Sequence, residues 1–159
     1  MDPTKIEAQG IICNKNLASI SVMSAPDRCG LACEVLQALG GKRINVEFIV
    51  QCIDLAQNSH IVLCVHQDDF DAALAAIHPL QSQLRAESIV SQRNVAMLSV
   101  FGPDFRTRPA IAALVFEGLA SAGINIMAIS TSISTVSCLI EGSRVDDALL
   151  GLQKHFKVP

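Results

Sequence analysis

Two asparagines stand 80 residues apart in matching surroundings, Ile44-Asn45-Val46 and Ile124-Asn125-Ile126. Each lies where a helix-like pattern gives way to a strand-like run, after Gly40-Gly41 in the first case and after Gly123 in the second. An asparagine side chain both donates and accepts, so these corners can hold a ligand that carries both kinds of group. A second set of candidates opens the helix before the first corner, in Pro26-Asp27-Arg28-Cys29-Gly30-Leu31. There the free backbone N–H groups and the dipole of a helix start favour an anion. Gly30 permits close approach of a ligand, and Asp27 is an acceptor for a cation. Gln51, in the run after Asn45, can reach a hydroxyl or an amine. Each residue also has a plainer reading: Asp27 as a helix cap, the asparagines as turn residues, and Ser130, Thr131 and Ser132 as ordinary strand residues.

The pattern is one of recognition rather than of bond making. His60, His66, His78 and His155 fall on different elements, with no Ser or Cys arrangement that marks a nucleophile. The carboxylate pairs Asp68-Asp69 and Asp146-Asp147 each open a helix, where the dipole explains them better than acid–base work. The six cysteines include no CxxC pair. Cys29 and Cys33 are four apart on a helix face without a histidine at ligand spacing, and Cys52, Cys64 and Cys138 sit in strand-like apolar runs. Reduced thiols, no metal and no cofactor are expected. Gly40-Gly41-Lys42-Arg43 lacks the spacing of a phosphate-cradling loop and reads as a helix end with capping glycines.

Composition sets the frame for these groups. Half of the 159 residues are hydrophobic and only 4% aromatic, enough for one large or two small domains with cores of Val, Ile, Leu and Ala. A net charge of −3 without Trp or Tyr argues against a nucleic-acid surface. The apolar runs are too short to span a membrane and no signal core follows Met1, so a cytoplasmic protein is expected.

The elements that must position the candidates read as follows. Residues 1–8 form a polar lead-in, 9–13 a short apolar run, and Asn14-Lys15-Asn16 a turn. A strand over 17–23 leads to a helix with Leu31, Val35, Leu36 and Leu39 on one face. Strands over 44–53 and 60–66, a helix with Phe70, Ala73, Leu74 and Ile77 inward, and a strand over 84–91 complete a split βαβ order. The order then repeats. Ala96-Met97-Leu98-Ser99-Val100 matches Ala18-Ser19-Ile20-Ser21-Val22 at an offset of 78, Ala110-Ile111-Ala112 matches Gly30-Leu31-Ala32 at 80, and Leu149 matches Leu74 at 75. The second hairpin is therefore shorter, with a tight turn over 132–135, and a last helix runs over roughly 145–155. The second copy lacks a strand, while the run 9–13 has no role in the first. Because a bare sheet edge invites pairing, that run is expected to complete the second copy. The expected fold is α+β: two ferredoxin-like βαββαβ domains, antiparallel sheets with helices on one face, the first copy (17–92) inserted in the second (8–14 plus 94–159).

Several motifs in order carry a resemblance. Met23-Ser24-Ala25-Pro26-Asp27-Arg28-Cys29-Gly30-Leu31-Ala32 resembles the turn and helix start of an ACT domain. The run from Gly118 through Ile124-Asn125-Ile126 to Ile129-Ser130-Thr131-Ser132 is similar to the second ACT domain of aspartate kinase, and Asn45-Val46 through Ile49-Val50-Gln51 to the first. Gly10-Ile11-Ile12-Cys13-Asn14-Lys15-Asn16 resembles the segment joining kinase to regulatory region, so the likeness extends over about 9–156.

The resemblance implies an amino-acid-sensing regulatory module that binds threonine or lysine and restrains aspartate phosphorylation. It implies no enzyme activity of the chain alone, because the kinase part is absent. It implies partners too: a homodimer through ACT domains and a catalytic aspartate kinase subunit. A free amino acid suits the polar groups, its carboxylate at the helix start and its ammonium on Asp27 or Asn125. The implied effector contacts are Asp27, Gly30, Leu31, Ala32, Gln51, Asn125, Ile126 and Thr131. A second, pseudo-equivalent site would use Asn45, Val46, Arg108, Ala110 and Ile111. The chain departs from the family pattern at Ala110, where glycine is usual, and at Ile133, where Glu usually follows ISTS. Those departures leave an alternative: a free-standing ACT oligomerisation or adaptor protein with a vestigial ligand site.

Overall fold

The computed structural model describes residues 5–102, 105 and 109–157. It is an α+β fold with antiparallel sheet pairings and, among the described residues, five α-helices. The chain divides into two compact units, Asn16–Asn94 and Met1–Lys15 with Val95–Pro159.

In the unit 16–94, the inner part of β2 (Gly10–Pro26) pairs antiparallel with β4 (Asn58–His66), from Leu17 opposite His66 to Pro26 opposite Asn58. The other edge of β4 carries β3 (Phe48–Ile53), with Gln51 opposite Ile61 and Ile53 opposite Ser59. The Glu87 amide donates to Met23 O as the chain enters β5 (Ser88–Phe101). The helices are α1 (Leu31–Gly40), α2 (Phe70–Ile77) and the short α3 (Leu80–Leu84). Leu31, Val35 and Leu39, four apart, bury one stripe of α1 against Ile20, Ile61, Leu63 and Val65.

The other unit repeats this plan with its own residues. Strand β7 (Thr135–Glu141) pairs antiparallel with β5 from Val95 opposite Glu141 to Phe101 opposite Thr135, and with β6 (Ala128–Thr131) on its other edge. Ile111, Val115 and Leu119 of α4 (Ile111–Ser121) bury the stripe that lies 80 residues on from that of α1. Helix α4 packs against α5 (Val145–Leu152) through two glycines, Gly118 and Gly151. The Ser132 amide donates to Thr135 O at 2.8 Å and closes the short hairpin expected there.

Several elements differ from the sequence reading. The lead-in is not featureless: β1 (Ile6–Glu7) pairs in parallel with β8 (Phe156–Lys157), and Ala8 is buried. Asn14-Lys15-Asn16 is no turn but extended chain within β2, because polar side chains can alternate outward along a strand as well as mark a bend. The strand expected from Ile44 starts at Phe48, and the one expected from Leu84 starts at Ser88, after α3. Leu36 faces out, at 39% exposure.

The Gly118–Gly151 contact generates a stability prediction. A Cβ on Gly151 would run into the Gly118 carbonyl oxygen, which is backbone and cannot swing aside. Gly151→Ala is expected to cost about 2 kcal/mol, read as a lower denaturation midpoint with unchanged slope in a urea melt.

Candidate functional site

The two asparagine corners are built by the same closure. At the end of α1 the Ile44 amide donates back to Leu39 O and the Arg43 amide to Gly40 O; at the end of α4, Ile124 donates to Leu119 O and Gly123 to Ala120 O. This is a Schellman ending, and it needs a left-handed residue at its centre. Gly123 fills that place with φ 65, but in the first copy the residue is Arg43, with φ 59, not Gly40 or Gly41. The apolar partners Leu39 and Ile44, and Leu119 and Ile124, are buried together. Asn45 and Asn125 follow the closure and are exposed, while Val46 and Ile126 pack on their own cores.

The helix start of α1 is also set by a left-handed residue, Gly30 with φ 89. Ahead of it, the Asp27 amide donates to Gln57 O and the Asp27 Oδ1 accepts from Ser59 Oγ at 2.8 Å. Ser59 Oγ in turn accepts from Gln51 Nε2 at 2.7 Å. Asp27 and Gln51, named from sequence, are thus joined through a serine of β4 that is wholly buried. Ser59 was missed by the sequence reading, which assigned the stretch up to Asn58 to a loop. Its signal was there in the period of two: Ser59, Ile61, Leu63 and Val65 share one inward face, and a lone hydroxyl on such a face needs partners.

A second network holds the turn behind this group. Asp54 Oδ1 accepts from the amides of Ala56 and Asn58 at 2.9 Å each, and Asp54 Oδ2 meets His60 Nε2 at 3.1 Å. His60 Nδ1 accepts from the Ser24 amide, so the imidazole proton sits on Nε2 and points at Asp54. The Asn58 amide first, and His60 next, pull the Asp54 carboxyl below its usual range. Its support of the turn is therefore present above the ordinary carboxylate pKa and is lost as pH falls through the lowered one. Arg28 is tied to Glu34 at 2.6 Å, and Gln83 also donates to Glu34.

Other expected contacts are placed differently. Leu31 is buried, so only its backbone faces the loop, and its amide bonds to Arg28 O at 3.4 Å; Ala32 is half-buried on the same core. Asn45 and Val46 precede β3, at the end of the strand away from Gln51, and are not brought to the Asp27 group within this unit. In the other unit, Asn125 and Ile126 precede β6 while Thr131 ends it.

Thr131 instead lines a cavity of about 220 Å³ with Phe105, Ala110, Ile111, Ile133 and Val136. Ala110 begins α4 with φ 70, the backbone that Gly30 has in the first copy, and Ile111 is buried as Leu31 is. Arg108 lies outside the described residues. By strand register Thr131, opposite Val136, stands where Gln51, opposite Ile61, does; Ser134, two residues before Val136 as Ser59 is before Ile61, lies in the hairpin turn outside β7 and is exposed. Burial pushes the thiols of Cys64 and Cys138 up to about 12, which suits inert core residues. Among the described residues no cluster of three or more His, Cys, Asp or Glu is placed to hold a metal ion, and no helix is long and apolar enough to cross a membrane.

Comparison with known proteins places this geometry among relatives. Residues 98–156 match the ACT domain family. The chain is 30% identical over 149 residues to the aspartate kinase of Pseudomonas fluorescens, covering 94% of this chain but 36% of that enzyme. It thus spans about a third of the length of the curated relatives it matches. It also superposes on a chain from the crystal structure of aspartokinase alpha and beta subunits, with a TM-score of 0.84, 33% identity, and coverage of 92% of this chain and 97% of that one. With the ligand-free regulatory subunit of aspartate kinase from Thermus thermophilus the TM-score is 0.86 at 26% identity, covering 96% and 100%.

The two helix starts yield a paired prediction. An L-residue with a side chain in the left-handed region costs about 1–2 kcal/mol, less what a stiffer unfolded chain returns. Gly30→Ala should therefore destabilise by about 1 kcal/mol although its Cβ meets nothing within 4 Å. Ala110→Gly should be neutral or stabilising by up to about 1 kcal/mol. Thermal melts of the two variants check the opposite signs.

Proposed function

Because this chain belongs to the ACT-domain family of aspartate kinase regulatory regions, and its 159 residues include no kinase catalytic domain, we propose that it binds a free amino acid, threonine or lysine, and transmits feedback control of aspartate-family amino-acid synthesis. The observation that carries the reading is the Asp27–Ser59–Gln51 hydrogen-bond chain beside Gly30 at the start of α1. That group offers acceptors for an ammonium or hydroxyl next to backbone donors suited to a carboxylate. Asp27, Gly30, the Leu31 and Ala32 backbone and Gln51 are the proposed effector contacts in the unit 16–94. Asn125, Ile126 and Thr131 are proposed contacts on the other unit's own corner and strand.

Each unit is proposed to be one ACT copy, 17–92 and 8–14 with 94–159. The chain is proposed to act in the cytoplasm as a homodimer, with a catalytic aspartate kinase subunit as partner. The second, pseudo-equivalent site, at Asn45, Val46, Arg108, Ala110 and Ile111, is proposed to bind more weakly or not at all. What supports this is Ala110 in a backbone that favours glycine, beside a cavity lined, among the described residues, by Phe105, Ile133 and the hydroxyls of Thr131 and Ser132.

Calorimetric titration of threonine and of lysine tests the reading. Loss of a charge-assisted hydrogen bond is worth about 1.5–3 kcal/mol, about ten-fold or more in affinity. Asp27→Ala is expected to weaken binding at least ten-fold, and Arg108→Ala to leave it nearly unchanged. No heat from either amino acid, or the reverse order of the two variants, sinks the assignment.

A further inference from the structure

The Gln51 side chain has a direction, and Ser59 sets it. A serine hydroxyl has one proton. Ser59 donates that proton to Asp27 Oδ1, since an aspartate carboxylate only accepts. The oxygen of Ser59 is then left as an acceptor, and Gln51 must turn its NH₂ group toward it. The amide orientation of Gln51 thus follows from the proton count. Burial enforces the arrangement: Ser59 is fully enclosed, so its hydroxyl cannot exchange these partners for water, whereas Gln51 and Asp27 reach the surface. With its NH₂ group committed to Ser59, Gln51 keeps its carbonyl oxygen out of that bond, and Asp27 keeps a second oxygen that Ser59 does not engage.

We propose that Ser59 is a specificity-determining positioning residue: by holding the Gln51 NH₂ group and leaving its carbonyl oxygen for the ligand, it makes the site select an effector whose side chain donates a hydrogen bond and reject the same shape without a donor. This rests on the reading of that group as the effector site. A site whose polar groups are left unpaired by a ligand discriminates far more strongly than one that merely lacks a contact. Without Ser59, Gln51 rotates freely and can offer either end, so selectivity falls while shape complementarity stays. In the other unit the corresponding serine, Ser134, is exposed and Thr131 replaces Gln51, so the device belongs to the first copy alone.

The test compares pairs of amino acids that differ in the donor: threonine with valine, and lysine with norleucine. Each is titrated by calorimetry into the wild-type chain, Ser59→Ala and Ser59→Cys, with thermal melts of all three. In the wild type the donor-bearing member of at least one pair should bind ten-fold or more tighter. Ser59→Ala should shrink that ratio to within about three-fold. Ser59→Cys keeps the volume with a weak sulfur partner, and should also narrow the ratio, which decides the question where Ser59→Ala fails to fold. An unchanged ratio in a folded variant overturns the positioning role and leaves the effector site standing. Absence of binding by all four amino acids to the wild type overturns the effector site and this inference with it.

Discussion

Four residues with left-handed backbone, Gly30, Arg43, Ala110 and Gly123, bracket α1 and α4, and the rest of the architecture follows from them. They turn the chain into each helix and out of it again, and so decide where the Asp27 loop and the asparagine corners stand. Only two of the four are glycine. For the other two the backbone works against a penalty of about 1–2 kcal/mol. The counterweight is apolar: Leu39 and Ile44 close over the Arg43 turn, and Ile111, only 3% exposed, pulls in the chain just after Ala110. Burying one such side chain yields about 1.5–3 kcal/mol, enough to hold an unfavourable turn in place. The stripes Leu31, Val35, Leu39 and Ile111, Val115, Leu119 are therefore what fix the corners, and the polar residues ride on them.

On similar helix and strand settings the two units carry different chemistry. The unit 16–94 threads a hydrogen-bond chain from its helix-start loop through Ser59 to β3. The other places Phe105, Ile133 and Thr131 around an open cavity, with Phe105 lying 6.4 Å from the Phe156 ring. Among the described residues its lining holds a ring and the hydroxyls of Thr131 and Ser132 but no carboxylate. The strain at Ala110 points the same way, because a position that must admit a ligand's carboxylate to backbone amides gains from having no Cβ. Equal folds need not mean equal ligands.

Much of this is legible in the amino-acid sequence. Period and offset found four of the five described helices, the second hairpin and the asparagine corners, because buried stripes repeat at fixed spacing regardless of surroundings, but not the short α3, where a strand was expected from Leu84. What escaped was whatever depended on backbone sign or on pairing at a distance. Gly40-Gly41 looked like the cap, yet the left-handed residue is Arg43, since the helix runs to Gly40 and the Schellman bonds place its turn three residues on. Ile6–Glu7 is too short to show a period, and only its partner Phe156–Lys157 makes it a strand. Asp27 and Gln51 were found as separate polar residues, but the link between them was hidden because Ser59 was read as the edge of a loop.

That link explains why a hydroxyl survives on a core face at all. A buried polar group without partners costs more than it returns, so an alanine or valine beside Ile61 would pack as well and risk less. Ser59 is tolerated because both of its capacities are used, one by a carboxylate and one by an amide. The cost is further contained by the neighbouring turn, where Asp54 and His60 hold Asn58 and Ser24 in register and so keep Ser59 facing inward. Strand β4 pairs with β3 on one side and β2 on the other, so the serine stands where a helix-start loop and an edge strand share a buried atom. Asp27 of the loop and Gln51 of the strand are therefore tied to the core through one oxygen, and it is this shared atom, more than the surface residues that flank it, that couples the two elements.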